Sequence, residues 1–308
     1  MCDNSSLSAE GLILNLERER PDLLIYNLFV KGLPLSVEKV EIVGGGEPLL
    51  YRDIDSIFHV IKQKRIVGSL ITNGSLLTET ISQVLVRYDW EYVRISINGA
   101  SRESYIKTHG VDHFSLVLNN IKALIRSRKK RQYPIINMHF VVQKDNYSDI
   151  FNFVQLANEL NVDGVSFDTL IVSDHSKKLM LNSYEKKKAI DLFYKAKKEI
   201  QCSHNIDQTI KLMESYDKEY SRYEYLKNRW CPVVQKTLEI RSNGIGIPCC
   251  MAFGVAKREL NIKRASTKQI WNAYKSFRGD LKRGNFYSFC FERCNYEMPL
   301  KRINAKIH

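Results

Sequence analysis

The sequence lacks the long apolar segments that anchor a chain in a membrane. Nowhere in its 308 residues does an uninterrupted apolar stretch approach the roughly 18 residues of a membrane-spanning helix. Residues 1–20 also lack the basic start followed by an apolar run that marks a secretory signal. The sequence therefore predicts a cytoplasmic protein without a membrane partner.

Acidic residues are outnumbered, with 34 Asp and Glu against 47 Lys and Arg, so the formal net charge is +13. Such a basic balance can indicate a nucleic-acid or phosphate-bearing partner. Solvated helix faces explain it more simply. The densest basic run, residues 126–131, ends an amphipathic helix, where cations are favourable without any ligand. The charge alone does not require nucleic acid.

The distribution of the cysteines along the chain indicates a chemical role for them. The seven cysteines occupy positions 2, 202, 231, 249, 250, 290 and 294. Structural disulfides are rare in the reducing cytosol, where clustered cysteines more often bind metal or take part in catalysis. Because five of the seven fall between positions 231 and 294, that segment is predicted to hold a metal.

Residues 39–170 alternate between short β-branched apolar runs and segments with helical periodicity. The runs that predict strands span residues 40–43, 66–72, 92–97, 135–142 and 165–170. Near-continuous apolar strands between amphipathic helices predict an α/β fold with a parallel sheet. Five strands fit a doubly wound sheet or an incomplete barrel equally well. A strand is expected before the helical pattern of residues 7–30, yet almost nothing precedes it.

The composition changes twice after this alternating region. Residues 183–228 are predicted to form charged, tyrosine-rich helices, and near Trp230 the chain becomes rich in cysteine, glycine and aromatic residues. We therefore predict an α/β core at residues 1–170, a helical connector at 171–229 and a small cysteine-rich domain at 230–300.

Glycines and small polar residues follow three successive predicted strands. These segments are residues 44–48 (GGGEP), 72–74 (TNG) and 96–99 (SING). Each segment taken alone is an ordinary turn. The carboxyl ends of parallel strands share one edge, and glycine lets backbone approach a ligand closely. Together the three segments predict a ligand site at that edge.

The order and spacing of these segments resemble the radical S-adenosyl-L-methionine (AdoMet) superfamily. That family carries GGEP at the end of its second barrel strand, often TNG at the third, and a Ser-Ile-Asp-Gly-like run at the fourth. Further matches are Tyr105, Gly110, Phe114, Asn119, Ile121 and the segment 141–146. The resemblance covers about residues 39–170 and implies a partial (β/α)6-type TIM barrel of parallel strands, whose first strand is missing here.

The resemblance also implies cofactors and a reaction. In the family the GGEP backbone meets the amino group of AdoMet, and the fourth strand end faces its ribose and carboxylate. The cofactor-binding residues implied for this chain are Gly45, Gly46, Glu47, Pro48, Asn73, Ser96 and Asn98. A catalytic [4Fe–4S] cluster would cleave AdoMet to a 5′-deoxyadenosyl radical that abstracts hydrogen from the substrate. The cofactors carry this step, and no catalytic side chain is assigned.

The cysteine motif for the catalytic cluster is incomplete. The family holds this cluster through C-x3-C-x2-C after the first strand, and here only Cys2 stands in that region. If Cys2 is the third ligand, the other two would precede Met1. We expect an N-terminally truncated sequence, because the first strand is missing as well. A degenerate site and a merely exposed terminal thiol at Cys2 are the alternatives.

The C-terminal cysteines resemble the SPASM and twitch extensions of the same superfamily, which open with C-x(9–15)-G-x4-C. Cys231, Gly244 and Cys249 match this opening. A β-hairpin at Gly244 would bring Cys231 and Cys249 together. Cys290 and Cys294 would complete four thiolates, suited to iron–sulfur or to zinc.

The cysteines are too few for the two auxiliary clusters of a full SPASM domain, so the resemblance implies one auxiliary [4Fe–4S] cluster. Cys250 could replace Cys249 as a ligand. The family's C-x2-C is C-x3-C here, between Cys290 and Cys294, which weakens the assignment of the last ligand.

Three functions follow from these observations. The first is a radical AdoMet enzyme that acts on a peptide, a sugar or an aminoglycoside, reduced by a donor such as flavodoxin or ferredoxin. The second is a catalytically degenerate remnant that binds AdoMet or a metal. The third is a basic zinc protein that binds nucleic acid. Nothing in the sequence identifies the substrate.

Overall fold

The computed structural model describes most of the chain. The described ranges are residues 32–34, 36–44, 46–170, 176–215, 226, 229–241, 243–252 and 255–292. The predicted helical pattern at residues 7–30 lies outside them, as do three predicted site residues, Cys2, Gly45 and Cys294.

Six parallel strands form one sheet in the order of the sequence. They are β1 (Lys39–Ile42), β2 (Val67–Thr72), β3 (Tyr92–Ser96), β4 (Ile135–Val142), β5 (Gly164–Thr169) and β6 (Ser203–His204). Each strand pairs with the next one along the chain. Consecutive order without a reversal is the arrangement of a β/α barrel rather than a doubly wound sheet. The predicted partial barrel is therefore confirmed.

Helices alternate with these strands and continue into the C-terminal region. They are α1 (Ile54–Gln63), α2 (Glu79–Arg87), α3 (Arg102–His109), α4 (Phe114–Arg128), α5 (Ile150–Leu160), α6 (Ser183–Glu199), α7 (Ile206–Ser215), α8 (Thr267–Ala273), α9 (Lys275–Arg283) and α10 (Ser288–Glu292). The segments with helical periodicity that the sequence predicts between the strands form helices, among them α1, α2, α4 and α5. None of the helices in the described ranges is long and apolar enough to cross a membrane.

One face of the sheet packs against the helices and forms the main core. Leu70, Val93, Ile95 and Phe140 point to this side and are fully buried. Because side chains alternate along a strand, the intervening positions point to the opposite face, the lumen of the barrel. On β3, β4 and β5 these positions include the polar residues Arg94, Ser96, Asn137, His139, Ser166 and Asp168.

The prediction of helices throughout residues 183–228 is wrong at one place. α6 and α7 are separated by β6, whose two residues pair with the start of β5. Ser203 and His204 are both exposed, so this edge strand lacks the apolar run that predicts a strand.

A second hydrophobic core lies in the C-terminal region. There β7 (Glu239–Ile240) pairs antiparallel with β8 (Gly246–Ile247), which confirms the predicted hairpin. Gly244 has φ +85° in this turn, and a Cβ atom there would lie 2.8 Å from Asn261 Oδ1, so the turn requires glycine. Leu226, Ile270 and Leu281 are among the residues at the centre of this core.

A hydrogen bond joins this region to the chain before the first strand. Thr267 Oγ1, at the start of α8, donates to the carbonyl of Gly32 at 3.1 Å. The C-terminal region thus contacts the segment that leads into β1.

Candidate functional site

One carboxylate fixes the turn after β1 to the end of β2. Glu47 Oε1 accepts from Thr72 Oγ1 at 2.6 Å and from Leu49 N at 3.1 Å, while Glu47 Oε2 accepts from Asn73 N at 2.7 Å. Pro48 is buried at the start of a short 3-10 helix. The Glu47 side chain is therefore engaged in holding two strand ends together.

The glycine turn beside Glu47 is open. Gly46 is exposed, and a Cβ atom added there would meet nothing within 4 Å. An open backbone at a strand end can hydrogen-bond to a ligand directly. Gly46 thus has the space that the predicted cofactor contact needs.

The Asn73 side chain is used within its own turn. Its Oδ1 accepts from Ser75 N at 2.9 Å and from Ser75 Oγ at 2.7 Å. Asn120 Nδ2 holds the following residue by donating to Gly74 O at 2.8 Å. These bonds fix the shape of the end of β2.

At the end of β3 the two predicted site residues have different surroundings. Asn98 is 7% exposed, and its Oδ1 accepts from Val141 N at 2.8 Å. Its carbonyl accepts from Asn146 Nδ2 at 3.0 Å, so Asn98 ties β3 to β4. Ser96 is half-buried on the lumen face. Within the described part of the chain no hydrogen bond engages the Ser96 hydroxyl, which is therefore available to a ligand.

A residue that the sequence analysis did not single out lies beside these strand ends. Gln143 directly follows β4 and is 3% exposed, and its Oε1 has no hydrogen-bond partner among the described residues. A buried acceptor without a donor costs about 1–3 kcal/mol. The adjacent backbone is fixed, because Gln143 N donates to Asn146 Oδ1 at 2.8 Å. The orphaned oxygen fits a ligand that carries an N–H or O–H group, as AdoMet does.

The lumen face of β4 and β5 carries a row of connected polar side chains. His139 Nδ1 lies 2.9 Å from Ser166 Oγ, which also lies 2.7 Å from Asn137 Oδ1. On the other side, His139 Nε2 lies 3.4 Å from the half-exposed Asp168 carboxylate. Burial, and then the charge of Arg94, lower the pKa of His139, while Asp168 opposes them. The imidazole is therefore neutral near pH 7.

Arg94 completes this lumen face. It lies on β3 opposite Asn137, two residues before Ser96. Its Nε is buried and has no partner among the described residues. A guanidinium presents several donors in a rigid fork that matches carboxylate and phosphate groups. The lumen therefore offers a cation, a neutral imidazole and a carboxylate to a polar molecule.

Three of the predicted metal ligands lie in the C-terminal core. Cys231 is 5% exposed and Cys290 6%, and half-buried Cys249 packs against the same core. Cys249 Sγ accepts from Met251 N at 3.5 Å, and Cys250 is half-buried beside it. The described residues contain no group of three His, Cys, Asp or Glu side chains that could hold a metal ion, and Cys294 lies outside them. The donor chemistry, several thiols in one small core, fits an iron–sulfur cluster.

A partial β/α barrel with an open glycine turn and polar strand ends, followed by a cysteine-containing hairpin module, defines a class of cofactor-dependent proteins. The chain contains a radical SAM superfamily domain and a SPASM domain. Residues 15–157 match the model of that superfamily, and residues 231–295 match the SPASM model, described as an iron–sulfur cluster-binding domain. The two models imply AdoMet and [4Fe–4S] clusters as cofactors.

Individual relatives cover only part of this arrangement. A Saccharolobus islandicus protein named probable GTP 3′,8-cyclase is 27% identical over 164 residues, which are 53% of this chain and 50% of that protein. The chain thus spans about half the length of the curated relatives it matches.

Solved structures match over a longer stretch. The structure of anSMEcpe with bound AdoMet and a peptide has a TM-score of 0.61 at 15% identity, covering 86% of this chain and 76% of that one. Streptococcus suis SuiB has a TM-score of 0.62 at 19% identity, covering 82% and 61%. At these low sequence identities the structural similarity shows the fold alone.

Proposed function

We propose that the chain is the core of an enzyme that abstracts hydrogen from a peptide or small-molecule substrate bound in the barrel lumen. The observation that carries this proposal is that open backbone at Gly46, the Ser96 hydroxyl and the orphaned side-chain carbonyl of Gln143 lie at the same edge of the sheet, after β1, β3 and β4. Among the described residues, neither the Ser96 hydroxyl nor Gln143 Oε1 has a hydrogen-bond partner, and a cofactor could supply one.

Each strand-end residue has a distinct part in holding AdoMet. The backbone of Gly45 and Gly46, the Ser96 hydroxyl and Gln143 Oε1 would contact the cofactor. The remaining candidates, Glu47, Pro48, Asn73 and Asn98, would act as positioning residues, because their side chains are buried or hydrogen-bonded to neighbouring strand ends.

When bound, the reduced cluster and AdoMet supply a 5′-deoxyadenosyl radical. The chain's own residues orient the molecule that this radical meets. Arg94 can donate to a carboxylate or carbonyl group, and Asp168 can accept from an amine or hydroxyl group. His139, neutral and fixed by Ser166, can do either without adding charge. A substrate with both hydrogen-bond donors and acceptors, such as a peptide, could bond to all three of these side chains.

The comparisons support the same range of substrates without choosing within it. anSMEcpe and SuiB have each been solved with a peptide, whereas the curated relatives are named as cyclases of GTP. Peptide maturation and the oxidation of a sugar or aminoglycoside both remain within the proposal. A small electron-transfer protein such as flavodoxin or ferredoxin is the proposed reductant.

The proposed domain organisation follows the two hydrophobic cores. The main core includes residues from Leu33 to Met213, and the second runs from Leu226 to Cys290. The proposed barrel domain at 1–170 and cluster domain at 230–300 each contain most of one core, and the proposed connector at 171–229 contributes residues such as Phe193 and Leu226 to both. Cys2 would contribute to the catalytic cluster. Cys231, Cys249, Cys290 and Cys294 would hold the auxiliary one.

Equilibrium binding of AdoMet to the anaerobically purified chain tests the strand-end site. Ser96→Ala and Gln143→Ala each remove one hydrogen bond, worth about 1–1.5 kcal/mol, and should weaken binding about tenfold. Gln63→Ala, at the exposed end of α1, is the matched control and should leave the affinity unchanged. Unchanged affinity in both site variants would show that AdoMet does not bind there.

Iron and acid-labile sulfide analysis tests the C-terminal cluster. Cys231→Ser and Cys290→Ser should each remove iron from the purified protein, whereas Cys202→Ser, a thiol packed against the main core, should not. Comparing Cys249→Ser with Cys250→Ser identifies which of the two is a ligand. A colourless protein that contains zinc and no iron would refute the auxiliary cluster.

A further inference from the structure

A basic cavity of about 530 Å³ lies on the C-terminal module, away from the strand ends. Its lining consists of Gln235, Lys275, Ser276, Arg278, Gly279 and Arg283. Three of these six side chains are cationic and none is acidic. The cavity is formed by α9 together with the short 3-10 helix Val233–Gln235.

Arg278 is a buried cation at this cavity. It is 7% exposed, and its Nη1 is buried and has no hydrogen-bond partner among the described residues. The guanidinium carbon lies 3.7 Å from the centre of the Trp271 ring. A stacked aromatic ring offsets part of the cost of burying a charge, by about 1–2 kcal/mol, but it supplies no acceptor. Arg278 therefore lacks the anion that a buried guanidinium normally has.

The nearby carboxylate pairs with another cation of the cavity rather than with Arg278. Asp280 Oδ1 accepts from Arg283 Nη2 at 2.7 Å, and Asp280 Oδ2 accepts from the Tyr287 hydroxyl at 2.9 Å. In the ranges that the structure describes, no carboxylate pairs with Arg278. Burial accordingly lowers the pKa of Arg278, with no opposing negative charge. Asp280 thus neutralises Arg283, while among the described residues Arg278 and Lys275 pair with no carboxylate.

The local backbone is arranged to leave the cavity open between its cations. Gln235 Nε2 donates to the Arg278 carbonyl at 2.8 Å, which fixes the 3-10 helix against α9. A Cβ atom at Gly279 would lie 3.3 Å from Arg283 Nη1, so glycine leaves room for this guanidinium to lie along the helix. Lys275, at the first position of α9, is exposed.

We propose that this cavity is a binding site for the phosphate group of a small molecule, held by Arg278, Lys275 and Arg283. Arginine forks match the oxygen geometry of phosphate, and the volume lies within the range of small-molecule sites. The site is separate from the proposed AdoMet site and does not depend on it.

A ligand bound in the cavity would affect the segment that carries Cys231, a proposed ligand of the auxiliary cluster. Cys231 N donates to the carbonyl of Leu281 on α9 at 3.1 Å, and Gln235 lies in the 3-10 helix that follows Cys231. A phosphate that neutralises Arg278 would therefore stabilise the helix on which this segment rests.

Calorimetric titration of the full chain with inorganic pyrophosphate tests the proposal. We expect saturable binding that is at least tenfold weaker in Arg278→Gln and in Lys275→Gln. Lys282→Gln removes the same charge from an exposed position of α9 outside the cavity, and should bind as the parent does. If circular dichroism shows that Arg278→Gln does not fold, the same loss of pyrophosphate binding is tested in Lys275→Gln and in Arg283→Gln, which change exposed residues.

Two results would overturn the site. One is the absence of saturable binding by pyrophosphate in the parent chain, including the case in which only a nucleic-acid oligomer binds. The other is an equal loss in Lys282→Gln and Lys275→Gln, which would mean that the general basic charge attracts the anion rather than this cavity.

Discussion

Replacing Glu47 by glutamine should loosen the connection between the ends of β1 and β2. The carboxylate accepts three hydrogen bonds, from Thr72 Oγ1, Leu49 N and Asn73 N. Glutamine keeps one acceptor oxygen, so its amide nitrogen must face at least one of these donors. A lost bond to a charged acceptor costs about 1.5–3 kcal/mol. A loss of about 2 kcal/mol corresponds to a roughly 30-fold larger opening constant for this turn.

Native-state hydrogen exchange of the peptide that contains Asn73 measures this opening. We expect exchange there to be about 30-fold faster in Glu47→Gln. Exposed Glu38, just before β1, provides the control, because Glu38→Gln should change nothing at Asn73. Equal exchange in the parent chain and in Glu47→Gln would refute the conclusion that this carboxylate fixes the turn.

Three further changes follow from the packing. Burial lowers the pKa of His109 to about 4, so the contribution of neutral His109 to the free energy of unfolding is fully present above about pH 6.5. The free energy of unfolding should fall by about 2 kcal/mol between pH 7 and 5 because of this group. In urea unfolding, His109→Gln should reduce this pH dependence. Gly68→Ala would place a Cβ atom 2.5 Å from the buried Trp90 ring, so its Tm should fall by an amount equivalent to about 1–3 kcal/mol, whereas Gly46→Ala, in open space, should keep the parent Tm. Asn98→Ala removes the hydrogen bond to the Val141 amide on β4 and leaves an alanine at φ +53°. It should destabilise the chain by about 1–3 kcal/mol in the same assay.

The barrel could be predicted because its strands and helices have strong local signals. β4 was expected at residues 135–142 and is observed at Ile135–Val142, since its apolar residues are dense and a proline precedes them. β6 could not be predicted, because two polar residues at a sheet edge have no pattern of their own. Its pairing depends instead on Gly164, where a Cβ atom would lie 2.4 Å from Ser203 Oγ.

The sequence predicts candidate site residues at the strand ends but none in the lumen. Motif resemblance located the strand ends, yet it could not tell that the Asn98 carboxamide faces a neighbouring strand while Ser96 remains available. Arg94, His139 and Asp168 lie on three different strands. Only the parallel register, in which Ser96, His139 and Ser166 are aligned, brings such residues to one face. Alternation along β3 was the signal that could have linked Arg94 to Ser96.

The hydrogen bond from Thr267 to Gly32 joins groups that are 235 positions apart. During synthesis on a ribosome the segment before β1 emerges well before its partner on α8. Contacts between such distant parts of a chain form late, and unpaired surfaces remain exposed until then. The segment before β1 therefore lacks this hydrogen-bond partner until α8 has been synthesised, and the surface that it covers stays exposed during that interval.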